Sequence, residues 1–365
     1  MFDGVLARGE VAALVSDEAW LRAMLEAEVA LARARDLPPQ VVSEIAAACD
    51  PSGFDARELG ERAAESGNPV VPLVEALRAR LEGSAAEAVH RGATSQDILD
   101  TAAMLVARAA LVPLREDLAG AANAAERLAR EHRTTPAAGR TLLQRALPTT
   151  FGLKAAGWMG GLDAAWLRLG ALRPAAQLGG PAGTLQGLGP DVLGRFAREL
   201  GLEEPLLPWH TERGRVAALA TALGTAAGAI AKTAGDVVLL AQTEVGEVHE
   251  AAPGGSSSMP HKRNPVAAVS ARACARQAPG LVATLLAAME QEHERAAGAW
   301  HAEWAPLRAL LVHTGSAAAW LRTCLEGLQV DAERMRVNLG ETDEGAVASA
   351  AALVDRALAG RAQPS

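Results

Sequence analysis

The chain reads as an all-α protein built around a central bundle of unusually long helices. Three observations point there. Half of the 365 residues are hydrophobic, while tyrosine is absent and phenylalanine and tryptophan number only 4 and 7. Packing must then come from Leu, Val and Ala at helical spacing, which favours close helix–helix contact over a β-sandwich. Apolar periodicity also persists over 98–133 and again over 216–249, beyond an ordinary globular helix. Polar residues gather instead in a few short segments between these runs.

Taken in order, the first helix spans 17–36. Ser16 or Asp17 caps it, and Trp20, Leu21, Met24, Leu25, Val29 and Leu31 form its apolar face before Pro38-Pro39 ends it. Shorter helices follow over 40–87, broken at Asp50-Pro51-Ser52-Gly53 and Gly67-Asn68-Pro69. Residues 1–90 read as a small N-terminal helical domain, with Arg8 in a non-periodic stretch near its start. The turn His90-Arg91-Gly92-Ala93-Thr94-Ser95-Gln96-Asp97 leads into a helix from Ile98 onward. Thr94 and Ser95 suit the N-cap, and Asp97 suits the positive first turn. The same N–H groups and hydroxyls can hold a carboxylate. Capping accounts for Ser95 and Asp97 but not for His90 and Gln96.

Pro113 predicts a kink in that helix. Residues 139–148 read as a loop feeding a helix over 149–172. Residues 174–188, with Gly179, Gly180 and Gly183, form a further loop. Residues 209–215 open the longest helical run. At its far end Glu244, Glu247 and Glu250 fall three apart and would share one face, the usual mark of a solvated surface. Helices over 266–292 and 303–328 complete a central domain of 91–330, and 331–365 form a short remainder. His293, Arg295 and His301 sit in a polar, tryptophan-containing junction between those helices.

Composition narrows the function. A formal charge of −8 without a long basic run argues against nucleic acid as a partner. Cys49, Cys274 and Cys324 lack metal-ligand spacing and form no disulfide framework, which fits a reducing cytoplasm. The start, Met1-Phe2-Asp3-Gly4, lacks the regions of a signal peptide. No uninterrupted apolar run of membrane length is expected either.

The stretch that the rest serves is Gly254-Gly255-Ser256-Ser257-Ser258-Met259-Pro260-His261-Lys262-Arg263-Asn264-Pro265. Glycines free its backbone, serines offer hydroxyls and N–H donors, and prolines stiffen its far side. A plain linker has no need of His-Lys-Arg-Asn between prolines. Gly255-Ser256-x-x-Met259-Pro260-x-Lys262-x-Asn264 resembles the signature of the fumarase/aspartase/argininosuccinate lyase superfamily. His90-x-Gly92-x-Thr94-Ser95-x-Asp97 resembles its first conserved block. Gly139-Arg140-Thr141-Leu142-Leu143-Gln144 resembles a further one, Gly-Arg-Thr-His-x-Gln, with Leu142 in place of the histidine.

This resemblance implies cofactor- and metal-free removal or addition of a proton beside a carboxylate, through an aci-carboxylate dianion. It implies Ser256, Lys262 and His90 as catalytic groups. Arg8, Thr94, Ser95, Gln96, Gln144, Arg215, Ser257, Met259 and Asn264 would hold a polycarboxylate substrate. It further implies a homotetramer with each site shared by three subunits, and a C-terminal domain that is largely missing here. Leu142 then discriminates among members. Expelling an amine or hydroxyl needs a general acid, whereas a carboxylate leaves unprotonated because its conjugate acid has a pKa near 4. That favours lactone formation, and Trp209-His210-Thr211 and Ala299-Trp300-His301-Ala302-Glu303-Trp304 resemble the carboxymuconate cycloisomerases of protocatechuate breakdown. A fumarate-releasing lyase with a nitrite-like leaving group, and a non-catalytic helical scaffold, are the alternatives.

Overall fold

The structure, a computed structural model, describes residues 1–259, 261–341 and 343–361, so Pro260 of the serine-rich loop lies outside it. Oxygen side chains placed ahead of apolar runs start several helices. After α1 (Asp3–Leu6) and α2 (Val11–Leu14), Ser16 accepts from Ala19 N at 3.3 Å and opens α3 (Asp17–Ala34). Pro39 stands at the start of α4 (Pro39–Ala48), and Asp55 caps α5 (Ala56–Ser66), which closes on left-handed Gly67. The helices α6 (Val70–Arg78) and α7 (Gly83–Ala88) complete this short-helix region.

The longest element is α8 (Ser95–Glu131), whose 37 residues run through Pro113 without interruption. At 1.5 Å per residue it spans about 55 Å. The predicted loop over 139–148 is instead a hairpin of β1 (Pro136–Thr141) and β2 (Gln144–Thr150). Leu142 and Leu143 form its two-residue turn, both at positive φ (50° and 62°). That geometry matches strand twist but is costly for bulky side chains, of order 1–3 kcal/mol each. Thr150 then caps α9 (Phe151–Gly170), and α10 (Asp191–Leu200) follows the glycine-containing loop.

The run expected to stay helical to 249 stops early: α11 covers Gly214–Leu240 and is shorter than α8. Gly246 at φ +62° turns the chain, and β3 (Val248–Glu250) follows. Glu244, Glu247 and Glu250 therefore share no helix face. The 266–292 helix is likewise two, α12 (Val266–Ala275) and α13 (Ala278–Ala287), because Pro279 removes an N–H at the second start. The chain ends in α14 (Ala299–Glu326), β4 (Leu328–Val330), α15 (Ala332–Leu339) and α16 (Glu344–Ala359), with β4 antiparallel to β3.

Polar contacts fix the helix directions. The residue ahead of α11, Arg213, meets Asp100 of α8 and Glu303 of α14, so three helices start together. At the other end Arg127 of α8 reaches the carbonyl of Glu326 at 3.3 Å. Helix α9 runs back, placing the Arg115 guanidinium 4.2 Å from the Trp166 ring. The bundle thus has a head, where α8, α11 and α14 begin, and a foot, where the two strand pairs and the serine-rich loop lie. Its buried apolar residues form one continuous core. Helix α11 is long and apolar enough to cross a bilayer, contrary to expectation, but half of that stretch is buried in the bundle.

Phe151, fully buried, stacks edge-on against Trp158 at 5.6 Å and His132 at 5.5 Å where the hairpin enters α9. Phe151→Ala is expected to cost about 3–5 kcal/mol in urea unfolding. A loss below 1 kcal/mol would show that this joint is not packed.

Candidate active site

At the head, one carboxylate organises the first polar block. Asp97 is fully buried and accepts from Thr94 N (2.9 Å), Gly179 N (2.8 Å) and Gly180 N (2.9 Å). His210 Nε2 lies 2.7 Å from its other flank. A single side chain thereby joins the start of α8, the glycine loop and the segment before α11. Only glycine fits at 179, since a Cβ there would meet His210 and Pro208 at 2.7 Å.

One turn further along α8, Asp100 takes two bonds from Arg213 (2.7 and 3.0 Å), which also grips Glu303 at 3.0 and 2.5 Å. Trp300 Nε1 donates to Asp100 at 3.0 Å, and Gln291 donates to Glu303 at 2.9 Å. Burial works against the charge on Arg213, but the two carboxylates outweigh it and raise its pKa. Burial raises that of Glu303. Gln96 is fully buried here and braces this knot. Its amide donates to Asp100 and the His210 carbonyl and accepts from Arg295.

His90, Thr94 and Ser95 are the half-buried, presentable groups of the head. His90 Nδ1 lies 2.6 Å from the buried Glu28 carboxylate, which fixes the ring and leaves Nε2 as its other face. Burial disfavours its charged form; Glu28 more than offsets this, and the pKa is raised. The Ser95 hydroxyl has no hydrogen-bond partner among the described residues. Arg215, also at the head, lies 3.7 Å from Glu203 and lines a cavity of about 190 Å³ with Arg173. Of the junction residues, Arg295 binds the Pro181 carbonyl at 3.0 Å, His301 packs on Trp300 and Trp304, and the His293 carbonyl accepts from Thr211.

The foot holds the other two blocks. Gly254 and Asn264 close the serine loop with paired backbone bonds of 2.9 and 3.0 Å, and Asn264 Nδ2 donates to the Gly255 carbonyl at 3.2 Å. Ser256 Oγ accepts from Met259 N at 3.1 Å and Ser258 N at 3.4 Å. Two N–H donors on a hydroxyl oxygen favour its alkoxide form. Lys262, Ser257 and Met259 are exposed on the same loop. Gln144 is exposed beside the hairpin turn, and Leu142 and Leu143 project from its tip at 96% and 71% exposure. Arg140 ties the hairpin to the base of the serine loop by a two-pronged bond to buried Glu247 (2.5 and 2.9 Å). Asn338 adds a third bond to Glu247 at 2.8 Å. Arg8 lies alongside, over the Trp320 ring at 4.0 Å and 3.2 Å from Thr323 Oγ1.

Ser256, Lys262, Asn264 and Gln144 are thus brought to one end, and His90, Thr94, Ser95 and Arg215 to the other, with α8 between them. Sequence reasoning missed the knots that hold these ends: Asp97–His210, Asp100–Arg213–Glu303 and Arg140–Glu247. Asp100 and Glu303 were signalled by charge inside otherwise apolar periods, whereas Asp97, Arg140, His210 and Arg213 lie in polar segments whose pairing the sequence does not reveal.

A polar block at the head, a Ser-Lys loop at the foot and a bundle of long helices between them are the features that the comparisons with known proteins address. The profile of the family described as Lyase matches residues 16–280. The chain belongs to this lyase family, of the fumarase/aspartase superfamily. It is 49% identical to nitrosuccinate lyase from Streptomyces davaonensis, over 97% of this chain and 79% of that protein. It is 48% identical to 3-carboxy-cis,cis-muconate cycloisomerase from Bradyrhizobium diazoefficiens, over 93% and 78%. The crystal structure of 3-carboxy-cis,cis-muconate lactonizing enzyme from Pseudomonas putida matches with a TM-score of 0.89 at 41% identity, covering 98% of this chain and 85% of that one.

The His90–Glu28 pair makes stability pH-dependent. A histidine whose folded pKa is raised stabilises fully below its unfolded value of about 6.5, and that contribution is lost as pH rises through the folded value. Urea unfolding of wild type and His90→Gln at stepped pH should show a gap that is widest in acid and shrinks in base. A gap that widens with pH would contradict the pairing.

Proposed function

We propose that this enzyme interconverts 3-carboxy-cis,cis-muconate and 4-carboxymuconolactone by proton transfer beside a carboxylate, without cofactor or metal. In the forward direction a substrate carboxylate oxygen bonds to a ring-forming carbon. The π-electron pair moves into an aci-carboxylate, and Ser256 delivers a proton to the carbon beside it. Lys262 and the N–H groups on Ser256 Oγ offset the charge on that oxygen. Lys262, with Asn264, Ser257 and Met259, takes one end of the substrate. Thr94, Ser95 and Gln144 take another, Arg8 at the foot and Arg215 at the head add positive charge, and His90 is the remaining acid–base group. Gln96 contributes by holding Asp100 and Arg295.

Leu142 carries this reading. It stands where relatives that expel amines or hydroxyls need a proton donor, and lactone opening needs none. Because α8 separates head from foot by about 55 Å, the site needs more than one copy. A homotetramer in which the head of one subunit meets the feet of two others would complete it. The exposed apolar residues Val112, Leu167, Leu239, Val269 and Leu286 along the bundle suit such packing, as do Leu142 and Leu143 at the hairpin tip.

A second reading is favoured by the 49% identity to nitrosuccinate lyase. There the same serine would remove a proton from a substituted succinate and release fumarate with an anion that also leaves unprotonated. Loss of diene absorbance with 3-carboxymuconate, against fumarate release from nitrosuccinate, separates the two. Under either, Ser256→Ala should lower kcat by about 10²–10⁴-fold while Tm stays within about a degree. Unchanged turnover in that variant would reject Ser256 as the proton carrier. No turnover of either acid by a folded tetramer would favour a scaffold.

A further inference from the structure

We propose that Glu250 is a positioning residue for Ser256, acting as a clamp that joins the two ends of the serine loop. This rests on the reading of Ser256 as proton carrier. Glu250 ends β3, immediately before the loop, and its side chain crosses to the other side of it. One carboxylate oxygen accepts from Ala267 N at 3.1 Å and the other from Ala268 N at 2.8 Å. These N–H groups belong to the first turn of α12, which begins where the loop ends. The N-cap of α12 is Pro265, which has no side-chain oxygen to offer. Glu250 supplies the missing cap from 17 residues upstream.

The clamp is firm on both sides. Glu250 is only 7% exposed, its strand pairs with β4, and the next residue donates to the Gly327 carbonyl at 3.0 Å. On the far side Ala267 and Ala268 are buried in the core. Charge-assisted bonds to a helix start are strong in such a setting. Above the clamp, the Gly254–Asn264 rung closes the loop a second time. A Cβ at Gly254 would strike Val266 at 2.1 Å, so that rung lies against the same helix start. The two closures leave 255–263 to carry Ser256 and Lys262. Release of the lower one frees Val266 and with it the rung that sets Ser256. A displacement near 1 Å at a reacting group costs about 100-fold in rate.

Glu250→Ala should therefore lower kcat/KM on the turned-over acid by about 100-fold, measured per folded molecule well below the melting transition. Glu250→Gln, which keeps one oxygen for one N–H, should recover at least about tenfold of that loss. Hydrogen exchange in the full chain should speed up at the amides of Gly254, Asn264, Ala267 and Ala268, with α8 unchanged. Glu250→Asp pulls the carboxylate back by one methylene and should behave like Glu250→Ala; it carries the test if the alanine variant does not fold. Wild-type-like kcat/KM in either variant overturns the positioning role, as does unchanged exchange at those four amides. Exchange needs no substrate. Faster loop exchange in a protein whose wild type turns over neither acid would leave the clamp standing and reject the functional reading.

Discussion

The length of α8 is the constraint on which everything else rests. Its 37 residues keep the half-buried hydroxyls of Thr94 and Ser95 about 55 Å from the hairpin and loop at the foot. No side chain bridges that gap, and the helix is packed along its length by α3, α9 and α14, so it cannot fold back. A site needing both ends must be composed between copies. The same rigidity would serve such a composition, because the head groups sit at a helix terminus and the serine loop at the foot is tied at both ends.

The buried charges make sense in that light. Asp97 holds four partners, and Arg213 holds two carboxylates at no more than 5% exposure. Replacing such groups by apolar residues of like volume is often neutral or stabilising, so their presence is weak evidence for stability. What they provide is register. Asp97 sets the glycine loop against the start of α8, and Arg213 sets three helix starts level with one another. A slip of one turn would leave carboxylates buried without partners, at several kcal/mol each. At the foot Arg140–Glu247 does the same for hairpin and serine loop. Each end of the bundle is thus locked by an ion pair one step behind the groups that would face substrate.

How far the sequence could be read follows from the kind of interaction involved. Local rules held: Ser16 caps α3, and Thr94 with Asp97 opens α8 where the polar turn precedes the apolar run. The serine loop was legible because its residue types have no structural excuse. The failures were non-local. Glu247 and Glu250 have helical spacing, yet Arg140 and the start of α12 draw their segment into a strand, and neither partner is close in sequence. The hairpin was missed because its turn is Leu142-Leu143, where Asn-Gly would have announced it. Capping does not explain Gln96; its buried amide is held by Asp100, the His210 carbonyl and Arg295, the last 199 positions away.

Leu142 draws these threads together. It sits at positive φ, almost fully exposed, on the tip of a hairpin pinned to the serine loop's base by Arg140. A bulky apolar residue held in that conformation toward water is doubly unfavourable in an isolated chain. On the proposed assembly the exposure would be removed, and the strain offset by that burial, if the tip entered another subunit's head and brought Gln144 beside Thr94 and Ser95. On the proposed reading an apolar tip there would exclude water from the developing dianion and so strengthen every N–H and cation aimed at it. It also donates no proton. A pocket of that kind would be selective by omission: it would serve substrates whose leaving group departs as a stable anion, whether carboxylate or nitrite, and fail those that must expel an amine. The two chemistries named by the chain's relatives, lactone formation and nitrosuccinate cleavage, fall on the same side of that divide. They differ in what the pocket must enclose and in the direction of the proton: on the proposed reading Ser256 would deliver it in lactone formation and remove it in nitrosuccinate cleavage.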